Sequence, residues 1–297
     1  MTSVAAPPKR LFAGIAIMLA SAISVGIGNA AIPLYYAAGG NAPTIMAFRY
    51  TWCIFICVIA LLVLRRPLRL PARQIVAALG SGTLFGAGAI SVITAFAYIP
   101  VGVAILILFT FPVLTALLQA LINRRLPGAI ETVCLIVALA GVGLTIGLDE
   151  VAYDPKGIVL AGLAALAVTV AFLAGGRALD GADSLVVSVY VALAALGAAL
   201  AFSLATERGI VLSLDEGGWR ACVVVVLTSA VAFFGLMFGI KLIGTVPAAM
   251  LTNFEVVFTM LFAALLLGEV MTPMKIAGAA VVIGAVLIAQ SHAWWRS

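Results

Sequence analysis

The sequence predicts an all-α integral membrane protein with ten transmembrane helices arranged as two inverted five-helix repeats. Three observations carry this. The 297 residues are 65% hydrophobic and 9% charged, against about 45–50% and about 25% for soluble domains. Apolar segments of spanning length follow one another with short breaks, and one stretch resembles another half a chain away. At about 20 residues per spanning helix, little chain remains for a soluble domain, so function has to reside among the helices.

The first segment, 11–36, follows Lys9 and Arg10 and is too long for the apolar stretch of a cleaved leader, so it reads as a helix. Ser21, Ser24 and Asn29 give it a polar stripe, and Gly26, Gly28 and Pro33 loosen it. Irregular backbone is tolerated in a spanning helix where it lines a cavity or is buried in protein. The second segment, 44–64, follows "AGGNAP" and carries Arg49 inside "AFRY". The third, 75–97, begins after "RRPLRLPAR", and the weak break "YIPVG" separates it from the fourth, 101–122. "NRRLPG" precedes the fifth, 130–148. The remaining segments are 157–176, 185–206, 219–240, 246–267 and 273–290.

Orientation follows from the basic residues. With the N-terminus in the cytoplasm, Lys9, Arg10, Arg65, Arg66, Arg69, Arg73, Arg124, Arg125, Arg177, Lys241 and Arg296 lie inside, while Lys156, Arg208, Arg220 and Lys275 lie outside. Eleven against four satisfies the positive-inside rule. It predicts a multi-pass protein of a bacterial-type inner membrane with both termini cytoplasmic.

A shift of 144 lays "LFTFPVLTALLQALINRR" (108–125) over "TNFEVVFTMLFAALLLGE" (252–269), pairing Thr115 with Thr259, Leu117 with Leu261 and Ala120 with Ala264. Upstream it pairs Ile99 with Ile243 and Ala104 with Ala248. Five segments per half is an odd number, so the second half (149–297) enters the membrane from the side opposite to the first (1–148). Inverted repeats of this kind are a transporter architecture with the site near the midplane.

Glu255 lies about 13 Å into the ninth segment at 1.5 Å per residue, the deepest carboxylate in the chain. Leaving it ionised there costs about 2.5–3.5 kcal/mol, and neutralising it at pH 7 costs about 3.7 kcal/mol. These are too close to decide its state, so a partner or water must. It is a candidate for proton coupling or substrate contact, or else a structural acceptor between the repeats. Arg49, about 7–8 Å below the outer end of its helix, could meet a substrate carboxylate or be held in an internal ion pair. Tyr50, Trp52 and Tyr98 fall in the outer half with Phe48, Tyr35 and Tyr36, where aromatic belts form in any case. The candidate substrate-facing set is Asn29, Arg49, Tyr50, Trp52, Tyr98 and Glu255. Glu269 reads as a solvated, architectural residue at the outer end of the ninth helix.

Other chemistries lack their parts. Cys53, Cys57, Cys134 and Cys222 sit in apolar runs and read as small hydrophobes rather than metal or redox groups. The single histidine, His292, lies in the tail, and neither HExxH nor GxxxxGK[ST] occurs. No catalytic residue, metal or cofactor is expected, nor a nucleic-acid partner. Gly82–Gly86, Gly143–Gly147 and Gly235–Gly239 are spacings for close helix contact; they read as packing within one subunit, which is expected to be a monomer or weak homodimer. A membrane-embedded enzyme and a channel are the competing classes.

The five-plus-five pattern, "AFRY" and "FEVVFTMLFAALLLGE" together resemble the EamA branch of the drug/metabolite transporter superfamily. The resemblance matches Arg49 to the arginine of the family's second helix and Glu255 and Glu269 to its two ninth-helix glutamates. Gly26 and Asn29 match its first-helix pattern, while Val256 stands where the family usually has proline. It implies a secondary transporter of small metabolites, commonly an exporter of amino acids, aromatic ones among them.

Overall fold

A computed structural model describes residues 8–122, 124, 129–147, 153–178, 182–206, 209–243, 248 and 251–295. The described residues form eleven helices and no strand: α1 (Pro8–Ala37), α2 (Ala42–Val63), α3 (Ala72–Ala95), α4 (Val101–Leu108), α5 (Phe111–Ile122), α6 (Ala129–Gly147), α7 (Pro155–Ala178), α8 (Ser184–Ala205), α9 (Glu216–Ile243), α10 (Phe254–Leu267) and α11 (Pro273–Trp295). Among them are seven spans long and apolar enough to cross a membrane, α4 and α5 together making one, and three shorter apolar helices within α6, α10 and α11.

Local chemistry sets several boundaries. Asn41 caps α2 by accepting the Thr44 N–H at 3.0 Å, one of the orphan donors of a helix start. Between α1 and α2 the chain turns at Gly39, whose φ of +85° favours a residue without a side chain. Asp183 caps α8 by accepting the Leu185 N–H at 3.0 Å with one oxygen, and its other oxygen takes Arg66 at 2.5 Å. Asp183→Ala is therefore expected to cost about 1 kcal/mol through the cap. Arg66→Ala should cost under about 1 kcal/mol, because the pair is exposed. Thermal unfolding in detergent measures both.

The fourth predicted segment is one apolar run in sequence, but the structure interrupts it at Phe109 and Thr110. Pro112 explains this: it has no N–H to donate, and its ring would collide with the carbonyl four residues back. The ninth segment is interrupted too, at Asn253, where the Val256 N–H reaches only three residues back, to the Asn253 carbonyl at 3.2 Å. A shift of 144 carries 109 onto 253. The second interruption therefore persists where the proline position is occupied by Val256. The same shift carries the start of α3 onto that of α9, and the start of α6 onto that of α11.

The two halves interleave. The most extensive contacts pair α1 with α9, α3 with α7, α6 with α11, α3 with α8 and α2 with α8, each joining a first-half helix to a second-half helix. Exchanging the halves turns α1·α9 into α7·α3, turns α3·α8 into α9·α2, and leaves α6·α11 and α2·α8 unchanged; all of these contacts are present. Of the predicted glycine spacings, Gly82 and Gly86 pack on Val191, Ala194 and Ala195 of α8, and Gly235 and Gly239 on Ser21 and Met18 of α1. Gly143 meets nothing within 4 Å, and the surroundings of Gly147 lie outside the described residues.

Helix ends gather on two faces. On one, the Asn41 amide donates to the Gly209 carbonyl at 2.9 Å, the Val211 N–H to Thr44 Oγ1 at 2.9 Å, and the Val101 N–H to Glu269 Oε1 at 2.8 Å. On the other, Arg66 meets Asp183 and Gly14 packs against Leu242 and Ile243. The core lies nearer the first face. There Ala30–Ile32, Ala42–Met46 and Val101–Ile107 are buried, whereas Leu11, Phe12 and Leu62–Leu64 toward the second face are exposed.

Candidate functional site

The polar cluster inside the helical bundle is assembled by a close helix crossing. A side-chain carbon at Gly26 of α1 would come within 2.8 Å of the Phe258 backbone and 2.9 Å of the Thr259 nitrogen, so glycine there lets α1 lie directly on α10. One turn later, the Asn29 amide donates to Thr259 Oγ1 at 3.3 Å and to Glu255 Oε1 at 3.4 Å. Asn29 and Thr259 are buried and Glu255 is half-buried. Glu255 stands in the first turn of α10, immediately after the interruption at Asn253, where a carboxylate is favoured by the exposed N–H groups and the helix dipole.

The other half lacks this chemistry at the equivalent place. The shift of 144 carries Glu255 onto Phe111, Asn29 onto Leu173 and Thr259 onto Thr115. Phe111 packs its ring on Phe172 at 5.0 Å and on Phe109 at 5.9 Å. Thr115 turns its hydroxyl back to the Phe111 carbonyl at 2.7 Å. One arm of the pseudo-symmetric pair is aromatic and apolar, and the other is acidic and amide-bearing.

Arg49 of α2 is half-buried, and its charge lies within electrostatic reach of Glu255 and of the Tyr50 phenol. Among the described residues it forms no ion pair: the two salt bridges present are Arg66–Asp183 and Arg220–Glu216. Phe48, just before it, meets Trp219 of α9 edge to face at 5.7 Å. The remaining predicted site residues stand apart. Trp52 is 37% exposed and stacks on the exposed Phe55 at 5.4 Å. Tyr98 is 39% exposed in the α3–α4 turn. No hydrogen bond or ring contact joins either to the Asn29–Glu255 cluster.

Thr259 completes the cluster and was not among the sequence candidates. Its position one turn after Glu255, on the same helix face, is the signal that could have found it. Glu269 departs from expectation as well. It is half-buried rather than solvated, and it caps α4 of the opposite half through the Val101 N–H. Among the described residues, no group of three or more His, Cys, Asp and Glu side chains could hold a metal ion. A groove of about 490 Å³ between α6 and α11, and one of about 610 Å³ between α1, α9 and α10, contain none of the candidate residues.

The helical architecture and the intramembrane polar cluster accord with what sequence comparison finds. The EamA-like transporter family matches residues 12–147 and, a second time, residues 155–290. The chain belongs to the EamA-like transporter family. This EamA-like protein is thus a multi-pass membrane transporter of the drug/metabolite transporter superfamily, built from two EamA units, with a small-molecule substrate and the lipid bilayer as its surroundings. It is similar in fold to a solved chain described as "Crystal structure of protein", at 19% identity and a TM-score of 0.60, over 93% of this EamA-like chain and 98% of the other. No curated protein matches it by sequence.

Proposed function

We propose that this transporter exports amino acids, aromatic or of broad range, by alternating access between two inverted repeats, 1–148 and 149–297, that together make ten transmembrane helices. The observation that carries the reading is the Asn29–Glu255–Thr259 cluster at an interrupted helix, set against its apolar counterpart at Phe111. Half-helix termini near the midplane are where transporters of this architecture build their sites. The two families of helix ends support inversion: α1 runs from the Gly14 face to the Gly39 face, and α7 runs from the Gly157 face toward the Arg66–Asp183 face. Burial concentrated toward the Glu269 face supports a conformation sealed at that side, which the basic-residue bias makes the outside, with both termini in the cytoplasm of a bacterial-type inner membrane. The candidate substrate-facing residues are Asn29, Arg49, Tyr50, Trp52, Tyr98 and Glu255, with Glu255 also the candidate for proton coupling. The transporter works as a monomer or weak homodimer.

Counterflow of the twenty amino acids by the purified, reconstituted protein tests this directly. Exchange of at least one amino acid is expected, and exchange of organic cations alone would overturn it in favour of a multidrug carrier. Glu255→Gln keeps the Asn29 contact but removes the titratable group. At least a tenfold loss of uptake driven by a pH gradient is expected, together with loss of its pH dependence. Unchanged transport with unchanged pH dependence would remove Glu255 from coupling.

A further inference from the structure

Arg49 and Glu255 present opposite charges that reach each other electrostatically, yet no nitrogen–oxygen distance between them falls within 4.0 Å. Each is incompletely satisfied among the described residues. The Arg49 guanidinium has five N–H donors and no hydrogen-bond or ion-pair partner among the described residues. Glu255 receives one long bond, 3.4 Å from the Asn29 amide to Oε1, and a neutral amide does not compensate a carboxylate charge. Charges at this depth are expensive unless paired or wet. Two such groups held apart, one on α2 and one on α10, are complementary to a guest that carries both charges.

We propose that the interval between Arg49 and Glu255 is a subsite for the zwitterionic head of the substrate, its carboxylate on Arg49 and its ammonium on Glu255 and the Asn29 amide oxygen. This rests on the amino-acid reading above and sharpens it. The planar fork of arginine matches a carboxylate through two parallel N–H donors. An ammonium offers three donors to Glu255, whose Oε2 receives no hydrogen bond among the described residues, and to Asn29 Oδ1. Guest and subsite neutralise each other charge for charge, so the loaded carrier takes no net charge across the bilayer. A cation satisfies Glu255 and leaves Arg49 bare; an organic anion does the reverse. In either case a charged group inside the bundle is left unpaired, which is a strong source of discrimination for a polar site.

The test uses the full chain in proteoliposomes and three probes: the amino acid that exchanges fastest, the amine formed from it by decarboxylation, and the acid formed by deamination. The wild-type protein should exchange the amino acid at least tenfold faster than either analogue. Arg49→Gln should bring the ratio of amino acid to amine to about one, and Glu255→Gln should do the same for the ratio of amino acid to acid. If Arg49→Gln fails to fold, Arg49→Lys keeps the charge without the fork and should lower the first ratio while leaving the second high. Equal losses on all three probes would assign the two residues to architecture and overturn the subsite. So would a wild-type protein that exchanges the amine or the acid as fast as the amino acid. Exchange of other solutes with no amino acid moved would overturn the amino-acid reading and the subsite together, which separates that failure from the subsite's own.

Discussion

Gly82→Leu is expected to leave little folded protein. A first side-chain carbon at Gly82 would stand 2.2 Å from the Val191 carbonyl oxygen and 2.8 Å from the Val191 Cα. Both obstacles are backbone, so no rotamer change relieves them and α3 must move off α8. Overpacking costs about 1–3 kcal/mol where neighbours can shift, and more where they cannot. Without an exclusion of water to drive helices together, close approach through small residues is itself the attraction between helices in a bilayer. Gly80, two residues earlier on the same helix, meets nothing within 4 Å, and Gly80→Leu should leave stability nearly unchanged. Monodisperse yield and unfolding temperature in detergent separate the two; equal tolerance would mean that α3 and α8 are not packed as described.

Glu269→Ala should cost about 1–2 kcal/mol, because it removes the acceptor for the buried start of α4 and with it a link between the halves. Glu269→Gln retains an oxygen for the Val101 N–H and should cost less. The two variants also differ in their response to pH. Burial pushes the Glu269 carboxyl above its ordinary value of 4.5, against the opposing pull of the Val101 and Gly102 amides and the Lys275 charge. The folded chain therefore keeps this proton at a pH where the unfolded chain has lost it, so the contribution to stability falls as pH rises from about 4.5 through the raised value. Unfolding temperatures measured across that interval should decline for the wild-type protein and decline less for Glu269→Gln. Parallel profiles would show that the carboxyl titrates alike in both states.

Much of the helix layout is legible in the sequence because a bilayer imposes a length on every apolar run. The run at 130–148 became α6 at 129–147, and the basic run after α2 marks where the chain turns. Interruptions are harder to read. Pro112 announces the break in the first half, but nothing as strong announces the one at Asn253, which became readable only through its repeat partner. Glu255 and Asn29 stand out as polar residues in apolar runs, but their meeting does not: they lie 226 positions apart, and the contact depends on Gly26 bringing α1 onto α10. The capping of α4 by Glu269 is hidden for the same reason, since it spans 168 positions. Trp52 illustrates the converse. An aromatic ring at the right depth can face a cavity or lipid, and spacing alone does not choose between them; Trp52 is 37% exposed beside Phe55.

The interleaving of the halves also has a consequence for synthesis. α1 emerges first, yet its main partner, α9, lies some two hundred residues downstream, so the α1 face carrying Gly14, Ser21 and Gly28 must wait uncovered while seven further helices are made. Long-range contacts of this kind slow folding and leave partly assembled chains exposed to wrong pairings. α3, by contrast, finds its two most extensive partners, α7 and α8, as soon as the first of the second-half helices appear. Assembly is therefore expected to nucleate around α3, α7 and α8, with α1 captured last. A ribosome stalled before α9 would hold a chain whose first helix is still free to exchange with lipid.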